Sequence, residues 1–130
     1  MPAQLKEFYR QYLACCNEHR LSGLTGFVHD PIQFNGTSTP LAQYTQAIAT
    51  FIQAFPDFHW TLEDIVVEGD TLAVRLRDTG THQGEWLGLA PTGRRMTTQE
   101  VGFYQLRDGK IAAMWYVLDV ADVKQQLAPG

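Results

Sequence analysis

Among the 130 residues of this chain, the side chains best suited to proton chemistry are one carboxylate, two phenols and one imidazole. Arg95 to Leu106 reads as a long strand and Lys110 to Leu118 as the last one, joined at the hairpin signal Asp108-Gly109. If helices cap a curved sheet, one strand parity faces the space between them. On these two strands that parity is Thr98, Glu100, Gly102 and Tyr104, with Ala112, Met114, Tyr116 and Leu118. Glu100 is then a carboxylate aimed at apolar surroundings, where burial raises the pKa and makes a general base near neutrality. On a wet sheet face it would instead pair with Arg75, Arg77 or Arg95. Tyr116 and Tyr12 could donate to a substrate oxygen and stabilise a developing enolate. They could equally pack their rings and bond a backbone carbonyl. His82, in Thr81-His82-Gln83-Gly84-Glu85-Trp86, could act as acid or base, or fix its loop by hydrogen bonds. Asn35, beside Gly36, reads first as turn chemistry.

These residues need elements to hold them. Leu5, Phe8, Tyr9, Tyr12, Leu13 and Cys16 recur at helical steps, predicting a helix from about residue 3 to 20 that Ser22-Gly23 ends. Leu24 to Val28 suits a short helical turn, and Ile32 to Asn35 a short strand. A second helix follows, with Thr39 as N-cap, Pro40 at its start and an apolar stripe through Leu41, Tyr44, Ile48, Phe51 and Phe55. The period then changes to two. Trp60 to Val67 and Leu72 to Arg77 read as strands around Glu68-Gly69-Asp70, and Gly80 to Gly93 as turns. The last strand is apolar on both faces, which makes it central or places its outer face against another subunit. Asp119 suits the N-cap of a short terminal helix. Helices first and an antiparallel meander second predict an α+β domain spanning residues 1–130, with helices over one face of a strongly curved sheet.

Composition narrows the function. Ten basic against fourteen acidic residues, a formal charge of −4, disfavour both nucleic acid and anionic membranes as partners. The 45% hydrophobic content supports a core and rules out disorder. The adjacent Cys15 and Cys16 cannot form a disulfide framework. His19, His29, His59 and His82 stand 10, 30 and 23 residues apart, which is no metal-ligand spacing, so no metal is expected. Charge in Met1-Pro2-Ala3-Gln4-Leu5-Lys6-Glu7, where a signal peptide would be apolar, predicts a cytoplasmic protein.

Several motifs come in a familiar order: Phe55-Pro56-Asp57-Phe58-His59, Glu68-Gly69-Asp70, Thr81-His82-Gln83-Gly84-Glu85-Trp86-Leu87-Gly88, Pro91-Thr92-Gly93-Arg94-Arg95 and Asp108-Gly109-Lys110-Ile111. In this the chain resembles SnoaL-like polyketide cyclases of the nuclear transport factor 2-like superfamily. The resemblance implies a cone of curved sheet closed by helices, a homodimer, and a deep apolar cavity for a small hydrophobic ligand. It also implies ring closure by intramolecular aldol condensation without metal or cofactor. In the cyclases the strand after the Asp-Gly turn resembles V-E-H-W-D-V, and its Asp is the acid/base. Here Ala112-Ala113-Met114-Trp115-Tyr116-Val117 puts Tyr116 in that place, and Gly102 stands where the preceding strand tends to carry a cavity-facing histidine. The more distant ketosteroid isomerase template matches its oxyanion tyrosine to Tyr12 and its aspartate base to Asn35 by rough position.

The expected catalytic residues are therefore Tyr116, Glu100 and His82. The expected pocket residues are Tyr12, Asn35, Phe51, Phe55, Trp86, Tyr104 and Met114. The expected activity is that of a cofactor-free cyclase or isomerase acting on a small hydrophobic carbonyl compound. A non-catalytic binding protein and a homodimeric assembly module of the same fold are the alternatives.

Overall fold

A computed structural model describes residues 2–129. Helix α1 (Pro2–Asn17) is followed by a 3-10 turn (Leu21–Gly26), strands β1 (Val28–Phe34) and β2 (Thr37–Thr39), and helix α2 (Leu41–Ala54). The remaining elements are β3 (His59–Glu68), β4 (Thr71–Thr81), β5 (Arg95–Arg107), β6 (Lys110–Leu118) and α3 (Val120–Leu127). The six strands form one open sheet in the order β2-β1-β6-β5-β4-β3, so the doubly apolar β6 is central, as its composition requires. The expected α+β architecture is present. One detail differs: β1 pairs with β6 in parallel, so the sheet is not wholly antiparallel. A parallel neighbour needs a long crossover, and the chain from α2 through β5 supplies it.

Two bulges bend the sheet and reset its parity. In β3, Leu62 pairs with Leu76 and Asp64 with Arg75, leaving Glu63 as the extra residue. Ile65 and Val67 thereby join Trp60 and Leu62 on the packed side. In β6, Leu106 pairs with Ile111 but Gln105 with Ala113, so Ala112 is extra. Strict alternation would place Ile111 on the face of Trp115 and Val117. The bulge instead turns Ile111 into the core, where it is fully buried, and leaves Trp115 and Val117 outside.

Helix α1 packs on β3 and α2 on β1. The end of α1 is tied to the sheet by a reciprocal amide pair. Asn17 Nδ2 donates to the Trp60 carbonyl (2.9 Å), and the Trp60 N–H donates to Asn17 Oδ1 (2.8 Å). The start of α2 is capped from afar. Thr39, the expected cap, belongs to β2, and its hydroxyl turns back to the Thr37 carbonyl at 2.9 Å. The orphan N–H of Leu41 donates to Asp30 Oδ1 in β1 at 3.0 Å. Asp119 caps α3 as expected, accepting from the Asp122 N–H at 2.9 Å. Replacing a side-chain cap by alanine costs about 1 kcal/mol. Urea denaturation of Asp30→Ala should show a loss of that size; an unchanged midpoint there, with a loss in Thr39→Ala, would return the cap to Thr39.

Candidate functional site

A cavity lies between α1, α2 and the concave face of the sheet, and all five tyrosines of the chain line it. Tyr9 and Tyr12 come from the apolar stripe of α1, Tyr44 from α2, Tyr104 from β5 and Tyr116 from β6. Four of them are tied in two hydroxyl pairs, Tyr9 with Tyr104 at 3.1 Å and Tyr12 with Tyr44 in a very short contact. In each pair one hydroxyl donates to the other, so one O–H proton per pair stays available. Tyr116 is in neither pair; its ring rests on Phe34, with centroids 5.5 Å apart. Burial pushes all five phenols above the ordinary tyrosine range, and nearby ionisable groups add to the rise. They are therefore hydrogen-bond donors and not bases. The Cys16 thiol, pushed up to about 12 mainly by burial, is not a nucleophile at neutral pH.

Two carboxyl groups meet at this cavity. Across the β4–β5 ladder Leu76 faces Glu100 and Asp78 faces Thr98, which makes Asp78 and Glu100 diagonal neighbours on the cavity side. Asp78 is fully buried, and neither of its oxygens meets an N–H or O–H donor of the protein. Its partner is the Glu100 carboxyl, and two carboxyls within hydrogen-bonding reach hold together only with a proton between them. Burial, then the hydrogen bond and the charge of Glu100, raise Asp78 far above the carboxylate range. Burial also raises Glu100, but hydrogen bonds from Asp78 and the Trp60 side chain pull the other way and favour its charged form. Of the two, Asp78 is the group that keeps its proton to higher pH, and Glu100 is the first to ionise. The arginines that might have neutralised Glu100 are engaged elsewhere: Arg75 with Asp64 (2.7 Å), Arg77 with Glu63 (3.3 Å) and Arg95 with Asp57 (3.9 Å).

Of the residues expected at the site, Glu100, Tyr116, Tyr12, Phe51, Tyr104 and Met114 line this cavity. His82, Asn35, Phe55 and Trp86 do not. His82 is fully buried against the Phe55 ring (centroids 5.5 Å apart), and its Nδ1 accepts from the Thr92 N–H at 3.2 Å. It fastens the loop between β4 and β5. Phe55 lies beyond the end of α2, beneath Gly80, where an added Cβ would stand 2.8 Å from its own Cβ. Trp86 packs edge-on to Phe55 with centroids 5.7 Å apart, in the same cluster. Asn35 serves the backbone: it adopts φ +50° and its Oδ1 accepts the Tyr116 N–H at 3.0 Å. It positions Tyr116 without facing the cavity.

Asp78, Tyr9, Tyr44 and Trp60 are the site residues that sequence reading missed. The signal for Asp78 was the parity of Leu72, Val74 and Leu76, which reaches 78 once β4 is allowed to run to Thr81. Gly102 is also explained. A Cβ there would lie 2.8 Å from Cε1 and 3.1 Å from the hydroxyl of Tyr104, so the phenol ring fills the space a side chain at 102 would use. Among the described residues no group of three or more His, Cys, Asp or Glu is disposed to hold a metal ion, and no helix is long and apolar enough to cross a membrane.

The carboxyl pair has a measurable signature. Folding moves Asp78 from an ordinary carboxyl in the unfolded chain to one that keeps its proton, so stability falls as pH rises above about 4. Asp78→Asn removes that proton uptake and can still donate to Glu100. It should match the wild type in stability near pH 4 and exceed it by more than about 1 kcal/mol at pH 7 to 8, since each unit of raised pKa costs about 1.4 kcal/mol there. Denaturant titrations across that range check this, and a variant whose stability falls with pH as steeply as that of the wild type would contradict the raised Asp78 carboxyl.

The comparisons agree with this architecture. A family model described as SnoaL-like polyketide cyclase matches residues 6–127. A SnoaL-like polyketide cyclase from Agrobacterium tumefaciens has a solved structure 30% identical to this chain, with a TM-score of 0.85, covering 95% of this chain and 98% of the other. AclR from Streptomyces galilaeus is 28% identical with a TM-score of 0.89, covering 100% of this chain and 85% of its own. TsrD from Streptomyces laurentii is 26% identical with a TM-score of 0.87, covering 97% and 96% respectively. No curated protein sequence matches the chain significantly. With the match across nearly its whole length and the same fold, this chain belongs to the SnoaL-like polyketide cyclase family.

Proposed function

We propose that this protein is a cofactor-free acid–base catalyst that enolises a small hydrophobic carbonyl compound, as an aldol-type cyclase or an isomerase. The observation that carries the reading is the buried Asp78–Glu100 pair opening onto an aromatic cavity. Glu100, charged and partly desolvated, takes a proton from the carbon next to the substrate carbonyl. The oxygen gathers negative charge as this happens, and the phenols of Tyr116 and Tyr12 can donate to it while Asp78 keeps its hydrogen bond to Glu100. In a cyclase the enolate carbon then bonds to a second carbonyl carbon of the same molecule. The alkoxide so formed takes back the proton held on Glu100. In an isomerase the same proton returns at another carbon. Tyr116 occupies the place of the cyclases' aspartate, so the base moves from β6 to β5 and the phenol keeps only the donor role. His82 is not part of this machinery, because it faces Phe55 and Thr92.

The same reading makes the protein a homodimer through the outer face of the sheet. Val101, Phe103, Trp115 and Val117 are exposed there, Val117 to 67%, and Phe103 and Trp115 pack on each other at 6.0 Å. A contiguous apolar face of this kind is unusual on a monomer.

Two measurements test these statements. Acetophenone in D2O serves as an enolisable probe: its methyl protons should exchange faster with the protein than in buffer, and Glu100→Gln should lower that rate about 10²–10⁴-fold. The rate should rise with pH as Glu100 ionises, above the usual glutamate range, and fall again once Asp78 loses its proton. Wild-type exchange in Glu100→Gln would end the catalytic reading in favour of simple ligand binding. Light scattering after gel filtration should give a dimer, and Trp115→Glu combined with Val117→Lys a folded monomer. A wild-type monomer would remove the dimer.

A further inference from the structure

The lining of the cavity restricts what can enter it by charge and by size. No Lys, Arg or His lines it, so an anionic ligand would lie beside ionised Glu100 with no counter-charge. A cation would pair with Glu100, yet it would leave the O–H protons of two phenol pairs and of Tyr116 without an acceptor. An uncharged ligand with an acceptor oxygen satisfies both conditions. Half of the eighteen lining residues are aromatic, which suits a flat ring.

Size is set by the enclosed part of the cavity. The closed space amounts to about 50 Å³, and the rest of the hollow is open to solvent. At roughly 10–15 Å³ for one water, the enclosed part holds about three to five waters, less than the roughly 150 Å³ of a benzene-binding cavity, so even a single ring extends toward the open mouth. Fused polycycles would have to protrude or force α1 and α2 apart.

We propose that the cavity selects an uncharged, single-ring carbonyl compound and turns away both carboxylate-bearing and fused polycyclic molecules, a substrate class that rests on the carbonyl reading above. Ligand-observed NMR titrations at pH 7 with acetophenone, benzoate, benzyltrimethylammonium and the tricyclic ketone anthrone test it. Acetophenone should bind at least tenfold more tightly than each of the others. Ala47→Trp, which fills the cavity from α2, should abolish that binding while circular dichroism stays unchanged. Anthrone binding as tightly would overturn the size limit, and benzoate or the ammonium binding as tightly would overturn the charge limit. Binding that survives Ala47→Trp, or no binding of acetophenone, would overturn the proposal as a whole. Selective binding of acetophenone without deuterium exchange would end the catalytic reading and leave this one standing.

Discussion

Two carboxyl groups meet on the concave face of the sheet, and much of the surrounding structure goes with keeping them there without a cation. Asp78 is fully buried with no N–H or O–H donor from the protein. An ionised pair in that position would repel strongly, so one group stays neutral and becomes a donor while the other stays charged and becomes an acceptor. Trp60 helps hold the charge on Glu100. Its own place is fixed by Asn17 at the end of α1, which completes the backbone pairing on the edge strand β3. A buried pair of this kind is expensive for stability, and such local conflicts gather at functional sites.

The aromatic shell is the second consequence. Burial drives all five phenols to stay protonated, and nearby ionisable groups add to this, so each remains a donor. Pairing Tyr9 with Tyr104 and Tyr12 with Tyr44 satisfies part of their hydrogen-bonding need and links both helices to each other and to the sheet. Gly102 makes room for this arrangement, because the Tyr104 ring lies where a side chain at 102 would be. The carboxyl groups that line the cavity stand instead on β4 and β5, as Asp78 and Glu100.

How much of this was legible beforehand depended on the range of each signal. The α1 and α2 stripes, the hairpin at Asp108-Gly109, the Asp119 cap and the inward parity of Glu100, Tyr104 and Tyr116 follow from local periodicity and turn chemistry. The cap of α2 by Asp30 was not legible, because it bridges residues eleven apart through tertiary contact. The bulges at Glu63 and Ala112 were not legible either, since an extra residue alters which face is buried without changing composition. His82 shows the limit most plainly. An imidazole in a loop motif can serve chemistry or structure, and only the tertiary structure shows that its neighbours are Phe55 and Thr92 and that it lies outside the cavity lining.

By itself the sequence determined the elements, the α+β class, the charge that disfavours nucleic acid, and the alternation that turns Glu100 and two tyrosines inward, because each of these is set within a few residues of chain. Only the tertiary structure decided that Asp78 stands diagonal to Glu100, that five tyrosines meet in one cavity, and that His82, Phe55 and Trp86 pack on one another outside its lining. Those outcomes depend on strand register and on where the helices settle over the sheet. Register brings together residues that are far apart in the chain, and no local pattern carries that information.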